Sequence, residues 1–291
     1  MGILFAFGAL LSWGIGDFLI QRSTRELGSW TTLFSLTAFG AIVLFPFVYP
    51  DLGPLLGDHS GLLILGLASI ILLYAAIFDM RALRSGKLSV VEPVFAAEVI
   101  ITTGLAAFFL REFPTGWQWL FILISLSGVA LVSTKSLKFI SELKDTSRHL
   151  EKGVLLAILA TLGMGTANFM FGLGSRAVSP LVINWFTDTF IAIIMGLYLW
   201  QRGDFKRTGH ALLNHKTLAL SMSAIDKAAW LFYSYSMTLI PIAVATSISE
   251  SYIALAALLG LRINNERLKP HQLVGITLAV IGAIALSAVT S

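Results

Sequence analysis

The chain has 291 residues, of which 56% are hydrophobic and only 12% charged, with a mean hydropathy of +0.84. A soluble domain carries about 25% charged residues, so a water-facing globule is excluded and an integral membrane protein is indicated. The formal charge of +4 lies in short loops between apolar runs, as topology-setting charge does and a nucleic-acid patch does not.

A membrane helix needs roughly 20 apolar residues to cross about 30 Å of hydrocarbon. The apolar runs predict ten such helices, over 2–21, 30–49, 60–80, 88–110, 116–134, 153–175, 181–200, 216–239, 242–262 and 270–289. The first run starts without a basic segment and ends without a small-residue cleavage site, so no removable signal peptide is expected. Three connections are longer than the rest: 50–60 is rich in Gly, Pro and Asp, 135–152 carries charges of both signs, and 201–215 is basic. Most prolines stand near predicted helix ends. Pro93 stands inside a span, where it frees a carbonyl and bends the helix.

The chain repeats itself. At a shift of 151, Gly14-Ile15-Gly16-Asp17-Phe18 falls on Gly165-Thr166-Ala167-Asn168-Phe169, and Arg25 falls on Arg176. At a shift of 154, Glu112, Gln118, Gly128 and Ser133 fall on Glu266, Gln272, Gly282 and Ser287. The organisation is therefore a first five-helix repeat over 1–134, a charged linker over 135–152 and a second repeat over 153–291. Five helices is an odd number, so the second copy enters the membrane from the opposite side. The expected fold is all-α, ten transmembrane helices in two inverted five-helix repeats, with a solute site near the midplane between them. Of the 20 Lys and Arg residues, 17 fall in odd-numbered loops or at their edges. That bias places those loops in the cytoplasm and both termini outside.

This arrangement resembles the EamA-like branch of the drug/metabolite transporter superfamily. The residues that carry the likeness are Glu112 with Gln118 and Gly128, and Glu266 with Gln272 and Gly282, each set following the fourth helix of its half. The resemblance implies a secondary transporter of small organic solutes, with a central cavity lined from both halves. It also implies cytoplasmic termini in many relatives, against the charge count here.

Charged groups at membrane depth cost about 2.5–3.5 kcal/mol each on insertion scales, so each needs a reason. Glu98 and Glu250 stand on repeat-equivalent helices. They are candidate proton acceptors or cation ligands in alternating access, or else carboxyls satisfied by Ser249, Ser251 and Tyr252 as a structural link. Asp226 and Lys227 are sequence neighbours about 100° apart on a helix, so each is expected to find its partner elsewhere, with Asp188 a candidate for Lys227. Asp188 sits in a polar patch with Asn184, Thr187 and Thr189. Asp17 and Asn168 are repeat mates beside glycines that let helices approach closely. Asp17 and Asp79, read as lying near helix ends, can reach water. Trp185, Trp230 and Tyr252 are the aromatic candidates for stacking on solute or caging a cation, although most membrane aromatics pack or face lipid. Glu112 and Glu266 read as membrane-edge residues that cap or bridge loops.

No metal site is expected, because every His falls in a loop or at a helix end and no Cys is present. No cofactor, ATP-binding loop or hydrolase motif appears either. The function expected is secondary transport of a small polar metabolite across the cytoplasmic membrane. Four midplane acids against one base favour a cationic or zwitterionic solute, an amine or amino acid, with proton coupling. The expected partners are that solute and the lipid bilayer, with no nucleic acid. Export of neutral or anionic metabolites, a membrane-embedded lipid enzyme and a non-transporting scaffold are the alternatives.

Overall fold

The computed structural model describes residues 1–85, 94–134, 148–263 and 269–290. Glu92, Pro93, Glu266 and most of the expected linker lie outside the described residues.

The regular structure among those residues is helical, with no strand. Seven stretches are long and apolar enough to cross a membrane, and two shorter apolar helices accompany them. In chain order the helices of the first half are α1 (Gly2–Leu27), α2 (Ser29–Val48), α3 (Leu52–Gly57), α4 (His59–Ser85), α5 (Glu98–Leu110) and α6 (Gly116–Ser133). Those of the second half are α7 (Arg148–Ala177), α8 (Pro180–Gln201), α9 (Phe205–Asn214), α10 (Lys216–Leu239), α11 (Ile242–Glu250), α12 (Tyr252–Ile263) and α13 (Pro270–Ala288).

Three expectations need correction. The run 242–262 is two helices, α11 and α12, separated at Ser251. The break coincides with a run of hydroxyls: Thr246, Ser247 and Ser251 donate to carbonyls four residues back, at 2.8, 2.8 and 2.9 Å. Such back-bonding bends helices. The 60–80 helix runs on to Ser85, which puts Asp79 well inside it. The connections 50–60 and 201–215 contain the short helices α3 and α9.

The main packing pairs all join one half to the other. α4 lies along α7, α1 along α10, α2 along α8 and α6 along α13, while α5 packs on α7 and α12 on α1. Glycine sets the close approaches. A Cβ on Gly14 would strike Leu255, and one on Gly165 would strike Ile101. Gly14 and Gly165 are mates at a shift of 151, and Ile101 and Leu255 at 154, so one contact is made twice. A Cβ on Gly128 would run into the α13 backbone at Gly275 and Ala279, and one on Gly282 into the α6 backbone at Ser125.

The repeat mates Gln118 and Gln272 also do the same work. Each side-chain oxygen accepts from the backbone N–H of the residue before its helix, Thr115 at 2.9 Å and Lys269 at 3.0 Å. Each side-chain amide then reaches the far end of the partner helix, Thr290 at 3.1 Å and the Val132 carbonyl at 3.0 Å. At the centre lies α11, all nine of whose residues are buried. It touches α1, α5, α6, α7, α10 and α13, and the site is built around it.

Candidate functional site

The interruption of α11 delivers Glu250 to the middle of the molecule at a helix C-terminus. On the first half, a turn at residues 96–97 precedes α5, so Glu98 is that helix's first residue. The two carboxyl groups meet there, both lining one small cavity. The serines flanking Glu250 are engaged elsewhere: Ser249 Oγ donates to the Ala6 carbonyl at 3.3 Å, and Ser251 and Ser125 share a hydroxyl pair at 2.8 Å. Beside the pair is a cavity of about 10 Å³ lined by residues of both halves, among them Ala96, Ile122, Ser247 and Ile253. That volume admits one water molecule.

An aromatic wall stands next to these acids. Trp13 packs edge-on to Trp230 at 5.3 Å between ring centroids, and tilted against Tyr233 at 5.2 Å and Tyr252 at 5.9 Å. Asp226, which is buried, lies beside the Trp13 indole. Tyr233 is fully buried, and its hydroxyl is 2.7 Å from that of Thr246 on α11. Tyr252 feels the charges of Asp17, Glu250, Glu98 and Asp79. Asp79 in turn feels Asp17 and acts on Glu98. Asp17 is exposed although its neighbours Gly14 and Gly16 are buried. Five acids, Asp17, Asp79, Glu98, Asp226 and Glu250, therefore form one electrostatic neighbourhood around Trp13 and Tyr252.

Lys227 and Asp188 form a second buried centre, linked to the first through Asp226, whose charge acts with both. Their ion pair joins α10 to α8 and rests against Gly40 of α2, where a Cβ would collide with both side chains. Asn184 nearby donates to Ser234 at 2.8 Å. Trp185 belongs to this region as well, its indole donating to the Ala41 carbonyl at 3.1 Å.

The ten sequence candidates thus fall into three groups. Glu98, Glu250, Asp17, Asp226, Trp230 and Tyr252 come together, whereas Asp188, Lys227 and Trp185 sit on the α2 face. Asn168 stands apart from its repeat mate: it is buried, and its amide nitrogen has no hydrogen-bond partner, while Asp17 is exposed. Asp79, read from the sequence as near a helix end, and Trp13, one of the chain's many aromatics, were not among the site candidates. The signal for Asp79 was the helix continuing through Arg81 and Arg84. Trp13 carried no signal beyond its place one turn before Asp17.

A second charged cluster ties the halves at the opposite ends of α5 and α7. Arg176 pairs with Glu112 and donates to the carbonyls of Met237 at 2.6 Å and Ile240 at 3.1 Å. Glu112 also accepts the Ile242 N–H at 3.0 Å. Glu112 therefore bridges the corner after α5 to the start of α11. The corner itself turns at Arg111, whose φ of 55° is left-handed.

No curated protein matches the chain. A solved crystal structure of a protein superposes with a TM-score of 0.75, over 99% of this chain and 97% of that one, at 14% identity. At that identity the likeness shows the fold alone. The EamA-like transporter family model matches residues 1–134 and again 151–288. A multi-pass membrane protein built from two copies of that unit, the chain belongs to the EamA-like transporter family.

Proposed function

We propose that this protein is a secondary transporter of a cationic or zwitterionic small metabolite, an amine or amino acid, driven by proton exchange at the Glu98–Glu250 pair. The observation that carries this reading is the pair itself: one carboxyl from each half, brought together at an interrupted helix, where the two would share a proton. A solute amine competing for the same carboxylates would displace that proton, so loading solute and unloading proton become alternatives at one site. Trp13, Trp230 and Tyr252 supply aromatic faces for the organic part and for cation–π contact. Asp17 and Asp79 give an acidic approach. The one-water cavity beside the pair fits a closed state, from which the halves must separate to admit solute.

The reading takes α11 and α12 as one broken crossing, and α5 as most of another. With α10 this makes ten crossings in two inverted five-helix repeats, divided by a linker over 135–152. The doubly made Gly14–Leu255 and Gly165–Ile101 contacts support the internal symmetry. The Lys/Arg bias supports odd-numbered loops in the cytoplasm and the cytoplasmic membrane as the location. Nothing in the reading calls for catalysis.

The test is uptake by the protein reconstituted in liposomes, with labelled amines and amino acids and an imposed pH gradient. Gradient-driven accumulation that is lost in both Glu98→Gln and Glu250→Gln is the expected result. Accumulation of a neutral or anionic solute with unchanged pH dependence in both variants would sink the proposal.

A further inference from the structure

The charge-rich end of the bundle carries a groove that the transport site does not use. It runs between α2 and α8 to the start of α9 and is lined by Phe34, Ala192, Ile193, Gly196, Leu197, Trp200 and Phe205, with a volume of about 370 Å³. Every lining residue is apolar or glycine. The α8 members recur on one face from Ala192 to Trp200, a stripe of about 12 Å at 1.5 Å per residue. The stripe is outward-facing, with Ile193 and Leu197 at least half exposed.

The mouth of the groove has the chemistry of a membrane–water boundary. Trp200 is 68% exposed, and Trp30 packs edge-on to Tyr198 at 5.4 Å. Amphipathic rings of this kind collect at headgroup level. Next comes α9, an amphipathic helix whose Phe205, Thr208 and Leu212 lie on one side, with Lys206, Arg207 and His210 on the other. Phe205 packs edge-on to Phe34 at 5.9 Å, which closes the groove.

The cations here are not equivalent. Arg202 is engaged by Asp204 at 3.4 Å and by the Tyr198 hydroxyl at 2.9 Å. His215 is engaged by Glu26 at 2.9 Å. Lys206 and Arg207 are exposed and have no acidic partner among the described residues. Two exposed cations therefore stand on the far side of the short helix whose Phe205 closes the apolar trough.

We propose that this groove binds an anionic phospholipid, one acyl chain lying along Ile193, Gly196 and Leu197 and the phosphate held by Lys206 and Arg207. The two parts of the site match the two parts of that molecule. A free phosphate would leave the trough empty, and a zwitterionic lipid would leave the cations without net compensation. Gly196 gives the trough its depth, since a Cβ there would stand 3.3 Å from the Phe34 ring.

The experiment uses the full chain purified in detergent, with phosphatidylglycerol or phosphatidylcholine added at equal concentration and retained lipid counted by native mass spectrometry. Wild type is expected to retain phosphatidylglycerol preferentially, by about fivefold for each cation. The K206Q/R207Q variant should lose the preference while keeping its phosphatidylcholine level. Gly196→Leu, which fills the trough, should lower retention of both lipids. Equal retention of the two lipids by wild type overturns the proposal. So does a preference that survives in K206Q/R207Q, which would place the headgroup elsewhere, or undiminished retention in Gly196→Leu, which would place the chain elsewhere.

Discussion

Two buried charged centres share the interior, and they are built on opposite plans. Glu98 and Glu250 are acid against acid, so bringing them together is favourable only when a proton is taken up. Asp188 and Lys227 are acid against base, so their contact is complete without any exchangeable partner. The first can change its charge and the second cannot do so without losing its pair. The surroundings agree with this division. The acid pair lies at two helix interruptions beside a water-sized cavity and more acids. The ion pair lies between continuous helices against Gly40, with no slack around it.

Breaking the ion pair should therefore have the largest effect on stability. Lys227→Met leaves Asp188 buried without its cation, and a loss of about 3–5 kcal/mol is expected. The double variant D188L/K227M should recover most of it, as read by unfolding in detergent. Gly128→Leu comes next, because α6 and α13 touch through backbone there, and overpacking costs about 1–3 kcal/mol or more. The acid pair should answer in the opposite manner. Glu250→Gln is expected to leave the unfolding midpoint near wild type, since an amide can still hydrogen-bond Glu98, while proton-driven uptake disappears. A midpoint that falls as far as in Lys227→Met would erase the contrast between the two centres.

Smaller effects fall at the membrane edges. Thr115→Ala removes the side chain that accepts the Gln118 N–H at 3.3 Å, a loss of about 1 kcal/mol for a helix cap. Asp58 is the smallest case and the only one in this set tied to bulk pH. Its carboxylate accepts the Gly61 N–H at 2.9 Å and the Ser60 hydroxyl at 2.7 Å, and these bonds hold its pKa below the usual carboxylate value. A depressed folded-state pKa gives stability that is present above the unfolded value and lost as pH falls through the folded one. Asp58→Asn should thus match wild type at low pH and fall slightly behind at neutral pH, in a pH series of unfolding midpoints.

The all-helical character and the order of the long helices were legible because hydropathy reports them directly. The break at Ser251 was not, because hydroxyl back-bonding changes backbone geometry without changing the apolar count. α9 was hidden for a related reason: its apolar face is one side of ten residues in a basic segment. Within the site, the equivalence of Glu98 and Glu250 could be read from the repeat, but their contact could not. They sit two positions apart at the repeat shift, and they meet only because each stands at an interrupted helix rather than along a regular one. Asn168 and Asp17 show the reverse limit. The repeat equates them, yet one is buried and the other exposed, since sequence symmetry does not require equal surroundings in one conformation.

The cross-half packing has a consequence for how the protein is made. α1, α2, α4 and α6 each find their principal neighbour in the second half of the chain, and Gln118 reaches Thr290 at its far end. The first 134 residues therefore leave the ribosome with their best surfaces uncovered. They must wait in the bilayer for partners that are synthesised only with the second half. Biogenesis is completed only when the last helix arrives, so premature termination near the C-terminus would strand both halves rather than trim one.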